Sequence, residues 1–326
     1  MEQVQFPSEH FTLHRIQTGV FAATAIPGGG AYSNAGIIDI GGHTLIFDAF
    51  DTPAAALDLL QAVKDYAFND QISVLLSHHH FDHRGGLQVF PPSTPIISTH
   101  ITRQLILESE NDPDYSIEGE LEEMQEYREE LLHQLETQAD ERWLTNLKAS
   151  ISHLDHFIKA IPTFNAQIPD QTFEKKIRFY GSEMTAELVH AGSGHTLSDS
   201  YLLLSGDRVA FIGDIGFFQC HPYLLDSDPD GWRSILHRLL KLDVDTIIPG
   251  HGPKGSKEDL SLLIDYLDIL ELNAQQFLNV GRSKQDASEL DIPAPFHRWS
   301  YGINRFAPNM RFFYERAAAA QLENSG

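Results

Sequence analysis

Ser77-His78-His79-His80-Phe81-Asp82-His83-Arg84-Gly85-Gly86 places four imidazoles and one carboxylate within six residues, directly after the apolar run Ile72 to Ser77. A short apolar run of this kind reads as a buried strand, so the cluster lies where that strand ends. Neutral imidazole and ionised carboxylate are the ligands that borderline divalent cations such as zinc accept. Alternate side chains of extended backbone share a face. His78 and His80 therefore point the same way and can serve one metal, whereas His79 points away and takes no ligand role. Asp82 and His83 lie past the turn, where they can face a second ion.

Outward from the cluster, the first half of the chain carries β signals. Val20 to Ala25, Gly36 to Ile40 and Thr44 to Phe47 read as strands, the last two joined by the hairpin turn Gly41-Gly42-His43. Pro27-Gly28-Gly29-Gly30 reads as a mobile loop, because glycine holds no single conformation cheaply. Asp51 and Thr52 open a helix over Ala54 to Tyr66, and Pro95 to Thr99 is another strand. The texture then changes. Residues 117 to 142 carry ten Asp or Glu against Arg128 and Arg142, with Leu121, Met124, Leu131 and Leu135 at helical spacing, and a second helix runs from Leu144 to Ile161.

Strand patterning resumes over Phe173 to Tyr180, Ala186 to Val189, Tyr201 to Leu204 and Val209 to Ile212. The helices of 101–172 thus read as an insertion between two β-rich halves of a single domain, 1–326. Helix, strand and helix follow over Ser234 to Leu242, Thr246 to Ile248 and Lys257 to Asn273. The tail, 280–326, is aromatic and then alanine-rich, and is expected to pack on the domain through a final helix.

Three further motifs follow the cluster in order: Gly194-His195-Thr196, then Gly213-Asp214 at the end of the strand Val209 to Ile212, then Pro249-Gly250-His251-Gly252. His-x-His-x-Asp-His after a hydrophobic strand, with these motifs behind it, resembles the metallo-β-lactamase superfamily over roughly residues 18 to 260. The resemblance implies an α/β chain folded as a four-layer αββα sandwich with a helical insertion. It implies that His78, His80 and His195 hold one divalent cation and that Asp82, His83 and His251 hold a second. Asp214 would bridge them. Zinc is the expected metal, with manganese or iron as alternatives. The implied activity is a dinuclear metal-dependent hydrolase, in which a hydroxide between the two ions attacks an ester, thioester, lactone or amide-type bond of a small molecule. Asp82 would be both ligand and catalytic residue, taking up and returning the proton. Asp48, after Leu45-Ile46-Phe47, matches the family's early aspartate and is expected to orient the loop carrying Asp82. Thr196 is expected to support its neighbour His195.

Several branches of the family bear on the substrate. Glyoxalase II-like thioesterases share the ligand set, but their first two motifs stand closer together and their basic C-terminal residues find no match here. The long insertion and a tail with Trp299, Asn304 and Tyr314 are more similar to general zinc hydrolases, some of them linked to quinoprotein relay systems. Iron-dependent oxidoreductases of the persulfide dioxygenase type, built on the same fold, are the alternative. Phe217, His221 and Tyr223, shortly after Asp214, are the expected substrate-pocket residues: an aromatic wall with hydrogen-bond donors. The acidic helix face reads as solvated surface. The helices could form a lid or a dimer surface; the apolar stripe beneath the acidic face reads as a lid, and a homodimer is one expected assembly.

Composition limits the partners. The formal net charge is −23 and the chain has no basic stretch beyond Lys175-Lys176 and Lys254 to Lys257, so a nucleic-acid backbone would be repelled. No apolar run approaches the roughly 20 residues that span a bilayer. Met1 to Thr12 lacks the basic start and apolar run of a secretory signal, and Cys220 is the single cysteine. Neither nucleic acid nor membrane is expected as a partner, Cys220 is expected as a small buried residue, and a cytoplasmic location is the expectation.

Overall fold

The computed structural model describes residues 2–67, 69, 71–299 and 301–323. The outermost ends of the expected domain, Met1 and residues 324–326, lie outside the described residues.

The first sheet has eight strands in sequence order. They are β1 (Glu2–Gln3), β2 (Phe11–Gln17), β3 (Val20–Ala25), β4 (Ala35–Asp39), β5 (Thr44–Phe47), β6 (Ile72–Leu75), β7 (Ile96–Thr99) and β8 (Gln171–Phe173). Helix α1 (Pro53–Tyr66) links β5 to β6, and α2 (His100–Glu110), α3 (Ile117–Thr137) and α4 (Glu141–Ala160) stand between β7 and β8. The second sheet has five strands: β9 (Lys176–Tyr180), β10 (Thr185–Gly192), β11 (Asp199–Leu204), β12 (Val209–Phe217) and β13 (Thr246–His251). Helix α5 (Pro229–Leu239) links β12 to β13, and α6 (Lys257–Asn279), α7 (Lys284–Ser288) and α8 (Phe306–Glu323) follow.

The period of two in these strands explains the layering. In β3, Val20 and Ala22 face the space between the sheets while Phe21 and Ala23 face the α1 side; in β5, Leu45 and Phe47 oppose Ile46 in the same way. In β12, Val209 and Phe211 meet the first sheet, and Ala210 and Ile212 meet α5 and α6. Strands apolar on both faces must be covered twice, and full burial of each large side chain contributes about 1.5–3 kcal/mol. The result is helix, sheet, sheet, helix. Tail residues Phe306, Met310 and Phe313 join the outer core with Leu267 and Leu270 of α6. The α3–α4 hairpin has its own small core of Leu131, Leu147, Ile151 and Leu154. Among the described residues no helix is long and apolar enough to cross a membrane.

Two local expectations change. The strand read as Phe173 to Tyr180 is two strands in different sheets, β8 and β9, because alternation shows which residues are extended but not which partner they pair with. The glycine run is not a mobile loop. Ser152 Oγ donates to Gly28 O (2.8 Å), Thr52 Oγ1 donates to Gly30 O (2.5 Å), and His10 Nδ1 lies 2.5 Å from Gly29 O. Gly30 has φ +83, and a Cβ there would stand 2.7 Å from His156 Cγ. Glycine is needed for close approach to α4, and tertiary contacts pin the loop.

Candidate metal centre

The seven expected ligands come from separate parts of the chain and meet at one end of the sandwich. His78 and His80 follow β6, and Asp82 and His83 lie in the single 3-10 turn Phe81–His83. His195 sits in the turn between β10 and β11, Asp214 lies within β12, and His251 ends β13. They form two groups of potential ligands, each with its ligand atoms within 4.8 Å of one another: His78, His80, His195 and Asp214, and Asp82, His83, Asp214 and His251. Asp214 is common to both. Its Oδ2 lies 3.2 Å from His195 Nε2, 3.3 Å from His251 Nε2 and 3.9 Å from His78 Nε2, and its Oδ1 lies 3.0 Å from His83 Nε2. Asp82 Oδ2 is 3.1 Å from His251 Nε2 and 3.5 Å from His83 Nε2. His80 turns its Nδ1 inward, 3.0 Å from His195 Nε2. His79 lines a separate cavity beside Arg84 and Glu110.

The rings are aimed by their outer atoms. Asp48, fully buried, takes His83 Nδ1 on its Oδ2 (2.8 Å) and the Ser77 backbone N–H on its Oδ1 (2.8 Å), while Ser77 Oγ lies 2.9 Å from His78 Nδ1. Asp48 thus holds the loop that carries Asp82 on both sides of that residue, at Ser77 and at His83. Ser33 adds a third hold, its Oγ donating to Asp82 O (2.6 Å). Asp226 Oδ2 meets His80 Nε2 at 3.0 Å. Asn34 Nδ2 donates to Pro249 O and Gly252 O, fixing the turn that carries His251. Gly250 leaves room for the shared carboxylate, since a Cβ there would stand 1.9 Å from Asp214 Oδ1.

Electrostatics supply the test of metal fit. His78 Nε2 is buried with no hydrogen-bond partner, and His83 Nε2 and Asp214 Oδ1 face each other at 3.0 Å without forming a hydrogen bond. Unpaired buried polar atoms cost about 1–3 kcal/mol each. Burial holds His78 well below the usual imidazole range and brings His195 down to about 4, so both offer lone pairs at neutral pH. Burial also works against charge on His83 and Asp214, but their neighbours overcome it. Asp214, Asp82 and Asp48 hold His83 well above its usual range, and His251, His83 and His195 hold Asp214 well below the carboxylate range. A concentrated negative site with converging lone pairs is what a divalent cation neutralises, in place of protons. Five imidazoles and two carboxylates, an all-nitrogen and oxygen set, suit zinc, manganese or ferrous iron. The residues fit a pair of such ions.

A cavity of about 410 Å³ opens over the cluster, lined by Phe217 and Tyr223 together with Phe81, Phe157, Leu154 and Met124. Phe217 stacks on His251, with ring centroids 4.9 Å apart. His221 does not reach this cavity: it is fully buried, its Nδ1 lies 3.1 Å from Tyr266 Oη, and its ring meets Trp299 and Phe306. Position in the loop after Asp214 suggested a pocket role, but the tail folds over that side and encloses it. Thr196 acts on the turn and not on the His195 ring. Its Oγ1 donates to Asp199 Oδ1 (2.7 Å), and burial pushes the Asp199 carboxyl up to about 7. Ser33, Asn34, Asp199 and Asp226 escaped sequence reasoning because each acts through a contact with a distant or unremarkable position. Asn34 and Pro249, for example, are 215 residues apart.

Comparison with known proteins agrees with this architecture. A family model described as the metallo-beta-lactamase superfamily matches residues 28–251. No curated protein matches the sequence. Among solved structures, a metallo-β-lactamase from Pontibacter korlensis aligns with a TM-score of 0.54 and 18% identity over 79% of this chain and 99% of that one. The DIM-1 metallo-β-lactamase aligns at 0.55 and 14%, over 80% and 98% of the two chains. A double mutant of the sec-alkyl sulfatase PisA1 aligns at 0.68 and 16%, over 93% of this chain and 50% of that one. At such identities the likeness establishes a shared fold. The family match covers more than half of the sequence, and the chain belongs to the metallo-β-lactamase superfamily.

Proposed function

We propose that the chain binds two divalent metal ions, most simply zinc, and hydrolyses an ester, thioester, lactone or amide-type bond of a small molecule. The observation that supports this reading is the shared carboxylate: Asp214 belongs to both ligand groups at the floor of a cavity. When bound, such ions lower the pKa of water from about 15.7 toward 7 and polarise the substrate oxygen. The chain's own contribution is to place the groups and control the proton. Asp82 is 23% exposed and Asp214 only 3%, so the Asp82 carboxylate is the one placed to accept the proton of the attacking water and return it to the leaving group. Phe157, Leu154 and Met124 present an apolar wall that restricts water around the reacting group.

The test is elemental analysis of metal-reconstituted protein, followed by a panel of ester, thioester, lactone and β-lactam substrates. Two ions per chain and turnover of at least one bond class are expected. One ion or none would refute the dinuclear centre, and full loading with no turnover across the panel would refute the hydrolase.

A further inference from the structure

Arg305 lies beyond the residues that the family model matches. Among the described residues lining the cavity over the metal cluster, it is the one lysine or arginine. The 3-10 turn Ile303–Arg305 ahead of α8 presents it, and that turn is tied to the inserted helices because Gly302 N donates to Asn146 Oδ1 of α4 (3.0 Å). Its Nη2 donates to Tyr32 Oη (2.8 Å), its Nη1 reaches His221 O at 3.4 Å, and its guanidinium stands 5.5 Å from the centroid of the Tyr32 ring. These oxygen partners are neutral, and a guanidinium has five N–H donors.

The chain has 46 acidic residues, yet among the described residues no carboxylate lies within ion-pair distance of Arg305. Arg84 and Arg233, by contrast, both have carboxylate partners. The carboxylates that share the cavity are engaged elsewhere. Asp51 pairs with His153 (3.0 Å), Asp226 pairs with His80 (3.0 Å), and Asp82 and Asp214 belong to the ligand groups. Asp82 and Asp214 act on the half-buried guanidinium through space without pairing with it, so its remaining N–H donors face the cavity without a carboxylate partner.

We propose that Arg305 binds a monoanionic oxygen group of the substrate, a carboxylate or a sulfur oxyanion, by the paired N–H geometry that arginine offers such groups. The inference rests on the hydrolase reading for the word substrate. Tyr32 lies between Arg305 and the metal cluster, its ring 5.4 Å from that of His251. The anion therefore stands one aromatic side chain from a metal ligand, and the bond to be cleaved lies only a few atoms from it. The substrate class is a small acid with an apolar body seated on Phe157, Leu154 and Met124 and its scissile bond over the cluster.

The experiment compares mono-para-nitrophenyl glutarate with para-nitrophenyl pentanoate, near-isosteres that differ in one carboxylate, on metal-loaded wild type, Arg305→Gln and Arg305→Lys. The wild type should prefer the glutarate. The kcat/KM ratio of glutarate to pentanoate should fall about 10- to 100-fold in Arg305→Gln, the usual scale for losing a hydrogen bond to a charged group, and less in Arg305→Lys, which keeps the charge. An unchanged ratio, with both esters slowed together, would overturn the proposal in favour of a structural role. Should the wild type cleave neither ester, the hydrolase reading is in question, and calorimetry of phenylbutyrate against phenylbutyramide decides the anion site alone. Selective loss of phenylbutyrate affinity in Arg305→Gln supports it, and equal affinities in wild type and variant overturn it. Phenylbutanesulfonate, titrated alongside, distinguishes a sulfur oxyanion from a carboxylate by which probe loses the larger factor.

Discussion

Asp48→Asn isolates the contribution of a single atom to the proposed metal centre. Asp48 has φ +60, a left-handed conformation that asparagine tolerates and alanine does not, so the backbone should survive the change. The Oδ1 that accepts the Ser77 N–H is retained. What changes is the atom facing His83 Nδ1, now 2.8 Å from a carboxylate oxygen. An amide nitrogen there donates to Nδ1, which moves the imidazole proton to Nε2, the atom aimed at Asp214 Oδ1. Flipping the amide restores an acceptor for His83 but sets an N–H against the Ser77 N–H. Either arrangement forfeits a charge-assisted hydrogen bond behind a ligand. Changes behind metal ligands typically cost 10- to 100-fold in metal affinity, or about 1.4–2.7 kcal/mol. The loss should fall on the Asp82, His83, Asp214 and His251 group and largely spare the other, turning metal titration against a chromophoric chelator into two separated steps. Unchanged affinity at both sites, with native near-UV circular dichroism, would refute the role assigned to Asp48.

Gly250→Ala should displace the Asp214 carboxylate, because the new Cβ would overlap its Oδ1; metal content should fall at both sites together, and an undiminished count of two would show that the strand can yield. Chelation should lower thermal stability, since binding at about 100 times Kd contributes about 2.7 kcal/mol. A melt after exhaustive EDTA treatment should shift down by roughly 4 °C or more, and an unshifted melt would mean that the folded chain takes no metal.

Local patterning carried much of the fold. The strands from Val20 to Phe47, the helix after Thr52 and the acidic helices of the insertion were legible because periods of two and of 3.6 survive in the sequence whatever lies opposite. Thr52, read as the start of α1, does accept the Ala55 N–H. The strand Phe11–Gln17 went unread, and the run Phe173 to Tyr180 was joined across two sheets, since extended segments announce conformation and not pairing. The four ligand candidates of the first cluster were legible for a different reason, their residue types and short spacing, whereas His195, Asp214 and His251 were legible through the resemblance of their motifs to a known family; the structure brings all seven together. His221 shows the limit. A histidine near Asp214 in sequence is enclosed by Tyr266, Trp299 and Phe306, and only the course of the tail decides that.

By itself the sequence determined the cluster from His78 to His83 and the strand end that presents it, because these follow from residue chemistry and local backbone geometry, while the three later donors were drawn from the resemblance of their motifs to a known family. The tertiary structure alone decided which atoms stand behind those donors and what faces them across the cavity: Asp48 behind His83, Asp226 behind His80, Asn34 under the His251 turn, and Arg305 brought by the tail to Tyr32. Such contacts span from 35 to 273 residues. They leave no periodicity in the sequence, since their energy comes from the packing of whole layers that places each residue beside a partner it does not neighbour in the chain.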